Sequence, residues 1–107
     1  MNSVINQSYE NWELIIIDDF STDNSINIIN KYLSQYDRIK LIKSNNRSGP
    51  AFARNEGIKL AKGGYITFLD ADDYWGKNFL KYSLDSIKNH TFIYSNYNRV
   101  NQDGKFI

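Results

Sequence analysis

The chain of 107 residues contains no cysteine. That absence excludes a disulfide framework and any thiolate metal site, and it fits a reducing compartment. A surplus of basic charge is also lacking, because 13 Lys and Arg face 12 Asp and Glu. Without it nothing drives binding to a phosphate backbone, and nucleic acid is not an expected partner. Long hydrophobic runs are absent too. The longest, Leu14 to Ile17, is far below a membrane span, and Met1-Asn2-Ser3 carries neither the basic nor the apolar stretch of a secretory leader. The expected address is cytoplasmic. No internal repeat or low-complexity linker interrupts the chain, and its length allows a single domain, 1–107, with one modest core. With 41% apolar and 23% charged residues, the composition argues for a folded domain and against wholesale disorder.

What is present alternates between two periodicities. Leu14-Ile15-Ile16-Ile17, bounded by charge and rich in β-branched residues, predicts a strand buried on both faces. The cap-forming set Ser21-Thr22-Asp23 follows, and then Ile26, Ile29, Leu33 and Tyr36 recur at helical spacing. Ile39 to Ile42 predicts a second strand, and Ser44 to Gly49 a polar loop. A second helix carries Ala53, Gly57, Leu60 and Ala61 on one stripe, small enough for close packing on a sheet, and stops at Gly63-Gly64. Tyr65 to Leu69 predicts a third strand. Leu80, Leu84 and Ile87 mark a third helix, Thr91 to Tyr94 a fourth strand, and Gln102-Asp103-Gly104 a turn that closes a terminal hairpin. The expected fold is α/β, a three-layer sandwich with a mostly parallel sheet. Ligands in such sheets collect at the carboxyl ends of strands, where both Asp18-Asp19 and Asp70 to Asp73 fall.

Asp70 and Asp72, one residue apart just past a strand, suit a hard divalent cation such as Mn²⁺ or Mg²⁺, whose shell phosphates can complete. The bland alternative is a solvated loop or a helix start. Asp73 adds a third acid, and the mutual repulsion of three carboxylates is a cost that a cation removes. Asp18-Asp19 reads either as a capping cluster or as an acceptor for a base or ribose. Gly49 and Pro50 before a helix can aim backbone N–H groups at an anion, with Arg47 or Arg54 adding charge, although an ordinary loop explains them equally. Tyr74 and Trp75 read as core or pocket wall, and His90 as a helix-end residue.

Four blocks then occur in order. Ser3 to Tyr9, Glu13 to Asp19 with Ser21-Thr22-Asp23, Ala53-Arg54-Asn55-Glu56-Gly57-Ile58, and Gly64 to Asp73 together resemble glycosyltransferase family 2 over nearly the whole chain. The resemblance implies a GT-A type, Rossmann-like fold, here truncated, and an inverting transfer of sugar from a nucleotide-diphosphate donor to an acceptor hydroxyl. Asp19 matches the acid that contacts the base, Asp70 the one near ribose or metal, and Asp72 the ligand of the Mn²⁺ or Mg²⁺ that bridges the diphosphate. Arg54 and Gly49 complete the expected nucleotide site. The implied partners are a UDP-sugar or related donor and a saccharide or lipid-linked acceptor, in a protein peripheral at the inner face of the membrane. The general base is expected beyond Ile107, so the isolated chain is expected to be inactive. A composition heavy in Asn, Lys, Ile and Tyr points to an AT-rich bacterial genome and associates the chain with surface-polysaccharide synthesis.

Departures from the family pattern matter as well. Met1 stands directly before what reads as the family's first helix, without the family's opening strand, and Phe20 occupies a position where the family often has Gly or a small polar residue. If that strand is lacking, the segments Leu14 to Ile17 and Ile66 to Leu69 are left either to pair directly or to be bridged by a second chain in a dimer. Two rival readings fit the same residues. One is a Mg²⁺-binding receiver domain, which lacks here its Lys after a last apolar strand. The other is a non-catalytic remnant that binds nucleotide-sugar.

Overall fold

A computed structural model describes residues 1–105. Its elements run in the order α1 (Asn2–Ile5), β1 (Leu14–Asp18), α2 (Ser25–Leu33), β2 (Ile39–Lys43), α3 (Pro50–Leu60) and α4 (Phe79–Ile87). β1 and β2 pair in parallel, Leu14 opposite Ile39 and Asp18 opposite Lys43. Parallel neighbours need a crossover, and α2 supplies it. The helix packs on β2 while α3 packs on β1.

The helices follow the periodic stripes. α2 buries Ile29 and begins at Ser25, one turn later than the first of the cap-forming residues, with Asn24 at the cap and Asp23 accepting the Ser25 N–H at 2.9 Å. Ser25, by its side chain first and its backbone second, holds the Asp23 carboxyl below its ordinary value. α3 starts from Gly49 with Pro50 in its first turn, where a missing N–H costs nothing. Gly57 faces β1, where an added Cβ would stand 3.9 Å from Ile17 Cγ1. The small-residue stripe thus sets the close approach of helix to strand.

Three strand expectations need correction. β1 is half-buried along Leu14 to Ile17, not buried on both faces, because among the described residues it has a ladder partner on one side only. Residues 65–69 and 91–94 carry strand-forming side chains, yet neither segment joins a ladder, and Tyr65, Ile66, Phe68, Phe92 and Tyr94 stay exposed. Propensity alone does not make a strand; a hydrogen-bonded neighbour does. Direct pairing of Leu14–Ile17 with Ile66–Leu69 is not made. The terminal turn does form, with Gly104 at φ 77° and its N–H on the Asn101 carbonyl at 2.9 Å, while the far side of the expected hairpin extends to residues 106 and 107, outside the described residues.

A small core holds these parts together. Val4, Ile29 and Ile39 are its buried hydrophobic residues. Gln7, 5% exposed, does as much by polar means: its Nε2 donates to the Ser3 and Gly76 carbonyls at 2.8 and 2.7 Å, and its Oε1 accepts the Leu80 N–H at 3.0 Å. One side chain thereby ties α1 to the start of α4. The accessible surface is 8601 Å², against about 6,200 Å² for a compact monomer of this mass. Large apolar side chains stand exposed, Tyr65, Ile66, Phe68 and Phe92 among them.

Candidate functional site

Two parallel strands end together, and the chain leaves β1 through Asp18 and Asp19. The Asp18 carbonyl accepts the Ser44 N–H at 2.8 Å, which prolongs the ladder by a residue, and its buried carboxylate receives Ser21 N–H at 3.3 Å. Asp19 reaches across to the next loop. Its Oδ1 takes the Ser48 N–H at 2.8 Å and its Oδ2 the Gly49 N–H at 2.9 Å, so one carboxylate fixes the entry to α3. Gly49 can meet that bond because it sits at φ 84°, where a side chain is strained. The anion that the Gly49 amide faces is therefore Asp19 itself.

On the second turn of α3 stands Arg54. Its Nη2 lies 2.8 Å from Asp70 Oδ1, and its guanidinium carbon 6.0 Å from the centre of the Phe68 ring. Asp70 begins a turn, closed by Asp73 N–H on the Asp70 carbonyl at 3.1 Å, that carries Asp72 and Asp73 into solvent. α3 is consequently the link between the two acidic clusters, holding Asp19 at its amino end and Asp70 through Arg54. Sequence separation gives no hint of either contact.

Among the described residues no group of three or more metal-binding side chains is gathered in one place. Two carboxylates from one turn remain, Asp72 and the Oδ2 of Asp70. Such a donor set suits a cation that takes its other ligands from phosphates and water, the ordinary arrangement for Mg²⁺ with nucleotides. Asp70 and Asp72 are too few for a closed protein cage, and a cation held by them would need phosphate and water to complete its shell.

Glu13 was not legible as a key residue. It stands before β1, accepts the Lys62 and Gly63 N–H groups at 2.6 and 3.1 Å, and pairs with Lys40 at 3.2 Å. The Lys62 backbone N–H, the largest cause, holds its carboxyl below the ordinary value; partial burial opposes it, and Lys40 and the Gly63 N–H add to the lowering. Gln7 was missed as well; its only signal is its place in the Ser3 to Tyr9 block. Trp75 walls a shallow recess with Asn6, Gln7 and Lys77 and stacks on Phe79 at 4.6 Å, as a pocket-wall residue should. Tyr74 is exposed and belongs to no core, since its turn points into solvent. His90 closes α4 by its N–H to the Ile87 carbonyl, the helix-end place expected of it.

Residues 1–107 match the family described as Glycosyl transferase family 2. The chain belongs to this family. Its fold is accordingly the α/β, GT-A type with parallel pairing, and the receiver reading falls away. The chain is 45% identical over 107 residues to an uncharacterized glycosyltransferase of Haemophilus influenzae, a match covering 98% of this chain and 43% of the relative. It is 38% identical to UDP-Glc:alpha-D-GlcNAc-diphosphoundecaprenol beta-1,3-glucosyltransferase WfgD of Escherichia coli, over all of this chain and 44% of that protein. Among solved structures, S. aureus TarS superposes with a TM-score of 0.72 at 32% identity, over 80% of this chain and 16% of TarS. The chain spans less than half the length of the curated relatives it matches.

Proposed function

We infer that the chain binds the nucleotide-diphosphate sugar for a metal-assisted, inverting glycosyl transfer. The observation that carries this reading is the bridge through α3, which fixes Asp19 at its amino end and Asp70 from its second turn, on one rigid element. Asp19 presents an acceptor to the base, Arg54 brings positive charge beside the diphosphate, and Asp70 with Asp72 supplies oxygens for Mn²⁺ or Mg²⁺. The bound cation would neutralise the charge that develops on the departing nucleoside diphosphate. An acceptor hydroxyl attacking the sugar carbon from the opposite face then inverts it in a single displacement.

The donor proposed is a UDP-sugar and the acceptor a saccharide or lipid-linked saccharide, in line with the activity printed for the Escherichia coli relative. A lipid-linked acceptor suits an address on the cytoplasmic face of a bacterial membrane. No described helix is long and apolar enough to cross one. The acceptor site and the base are assigned to the part of the longer relatives that this chain does not span, so the chain alone binds donor and does not transfer it. The exposed apolar segments 65–69 and 92–94 suit a surface that such a part covers.

Calorimetric titration of the purified chain with UDP, in Mn²⁺ and in EDTA, tests the reading. Asp72→Asn should weaken binding about tenfold or more in Mn²⁺, the loss of one charged ligand, and leave the weak binding in EDTA unchanged. Equal loss in both buffers would remove Asp72 from the cation site.

A further inference from the structure

We propose that Phe20 is an aromatic platform for the nucleobase of the donor, an assignment that rests on the donor-binding reading above. Phe20 is the non-glycine residue found at positive φ among the described residues, at 66°. That conformation is easy for glycine and strained for a bulky side chain. Its neighbours restrain it. Asp18 is held by its pairing with β2 and by the Ser21 N–H, and Asp19 by two bonds to the 48–49 loop, so the backbone at residue 20 is fixed from both sides.

Strain of this kind is ordinarily offset by burial, and here it is not. Phe20 is 48% exposed and adds little to the core. Glycine would make the same turn without strain and without exposing a ring. The ring therefore has its use outside the core, and strained residues of this sort gather at ligand clamps. Its position says which ligand. It follows Asp19 directly, beyond the carboxyl end of a parallel strand, where ligands of α/β sheets bind. A flat apolar face beside an acid that accepts hydrogen bonds offers both contacts a base needs: stacking on its π-face and an acceptor at its polar edge. Stacking tolerates any base, so Phe20 contributes affinity, and Asp19 the choice of base.

The test compares the wild-type chain with Phe20→Gly and Phe20→Tyr by calorimetry in Mn²⁺, using UDP and, separately, inorganic pyrophosphate, which has no base. Urea denaturation of each variant accompanies it. Phe20→Gly should weaken UDP binding about 5- to 100-fold while pyrophosphate binding stays within about twofold, and its unfolding midpoint should equal or exceed that of wild type. Phe20→Tyr should keep UDP affinity within about threefold, since the ring is retained. Unchanged UDP binding by Phe20→Gly overturns the platform and leaves donor binding standing, and equal loss for UDP and pyrophosphate overturns it by showing that residue 20 only shapes the loop. Failure of the wild-type chain to bind UDP overturns the donor reading and this assignment with it.

Discussion

Replacing Glu13 by Ala removes, in one step, contacts from the start of β1 to β2 and to the end of α3. Two backbone N–H groups, those of Lys62 and Gly63, lose a charged acceptor, and Lys40 loses its counter-ion. A hydrogen bond to a charged group contributes about 1.5–3 kcal/mol when buried. The Glu13 side chain is 23% exposed and both amides can turn to water, so each bond counts below that range, and the pair with a more exposed Lys40 adds at most about 1 kcal/mol. The expected loss is about 2–3 kcal/mol, a large part of the 5–15 kcal/mol that holds a typical domain. Its pH dependence follows from the sign of the shift. The folded carboxyl titrates below its ordinary value of 4.5, so the unfolded chain binds the proton more readily. The charge-dependent part of the contribution is present in full above that value and is lost as pH falls through the lowered one. Urea denaturation followed by circular dichroism at pH 7 should show the variant unfolding about 1–3 M earlier, for a slope of about 1–2 kcal/mol/M. The gap between wild type and variant should narrow in strong acid, where the charge-dependent part of the contribution is gone. A difference under about 0.5 kcal/mol at pH 7, or one equally large at pH 7 and in strong acid, would refute the reasoning.

Two further substitutions probe the framework. Gln7→Ala strips three hydrogen bonds from a buried position, each with a net value near about 1 kcal/mol, and should cost about 3 kcal/mol in thermal or urea unfolding; a loss below about 1 kcal/mol would mean that water replaces the amide. Gly49→Ala meets nothing within 4 Å, so its cost is that of the backbone alone at φ 84°, ψ 168°, a region almost confined to glycine, about 1–3 kcal/mol, and a neutral result would show that the loop relaxes away from it.

The parts of the fold that were legible in the sequence are those written in local pattern. Ile26, Ile29 and Leu33 repeat at helical spacing, and the helix they mark packs on β2; the small stripe around Gly57 announced the close approach to Ile17. Residues 65–69 show the limit of such reading. Their composition is that of a strand, but a ladder depends on a neighbour, which the segment itself does not encode. The same limit holds at the site. Acids past strand ends were visible as chemistry, whereas the bonds of Asp19 to Ser48 and Gly49, and of Arg54 to Asp70, span 29, 30 and 16 residues and arise only when α3 docks on β1. Beyond their places in the family-like blocks, Glu13 and Gln7 gave no signal, because single polar residues at element ends look like solvated ones until their partners arrive.

The contacts that already occupy the site decide how a donor would enter it. A carboxylate offers about four lone-pair positions, and each oxygen of Asp19 spends one on a backbone N–H. One position per oxygen is left, so on the donor-binding reading Asp19 accepts from a base while still holding the 48–49 loop. Asp70 likewise gives one oxygen to Arg54 and keeps Oδ2 for a cation. Arg54 has five N–H donors and uses one of them on Asp70 in this pair, which leaves donors for a phosphate. None of the bonds that position the acids has to break when the ligand arrives, and the ordering of loop and helix is complete beforehand. Affinity then depends on the new contacts alone, without a charge for rearrangement.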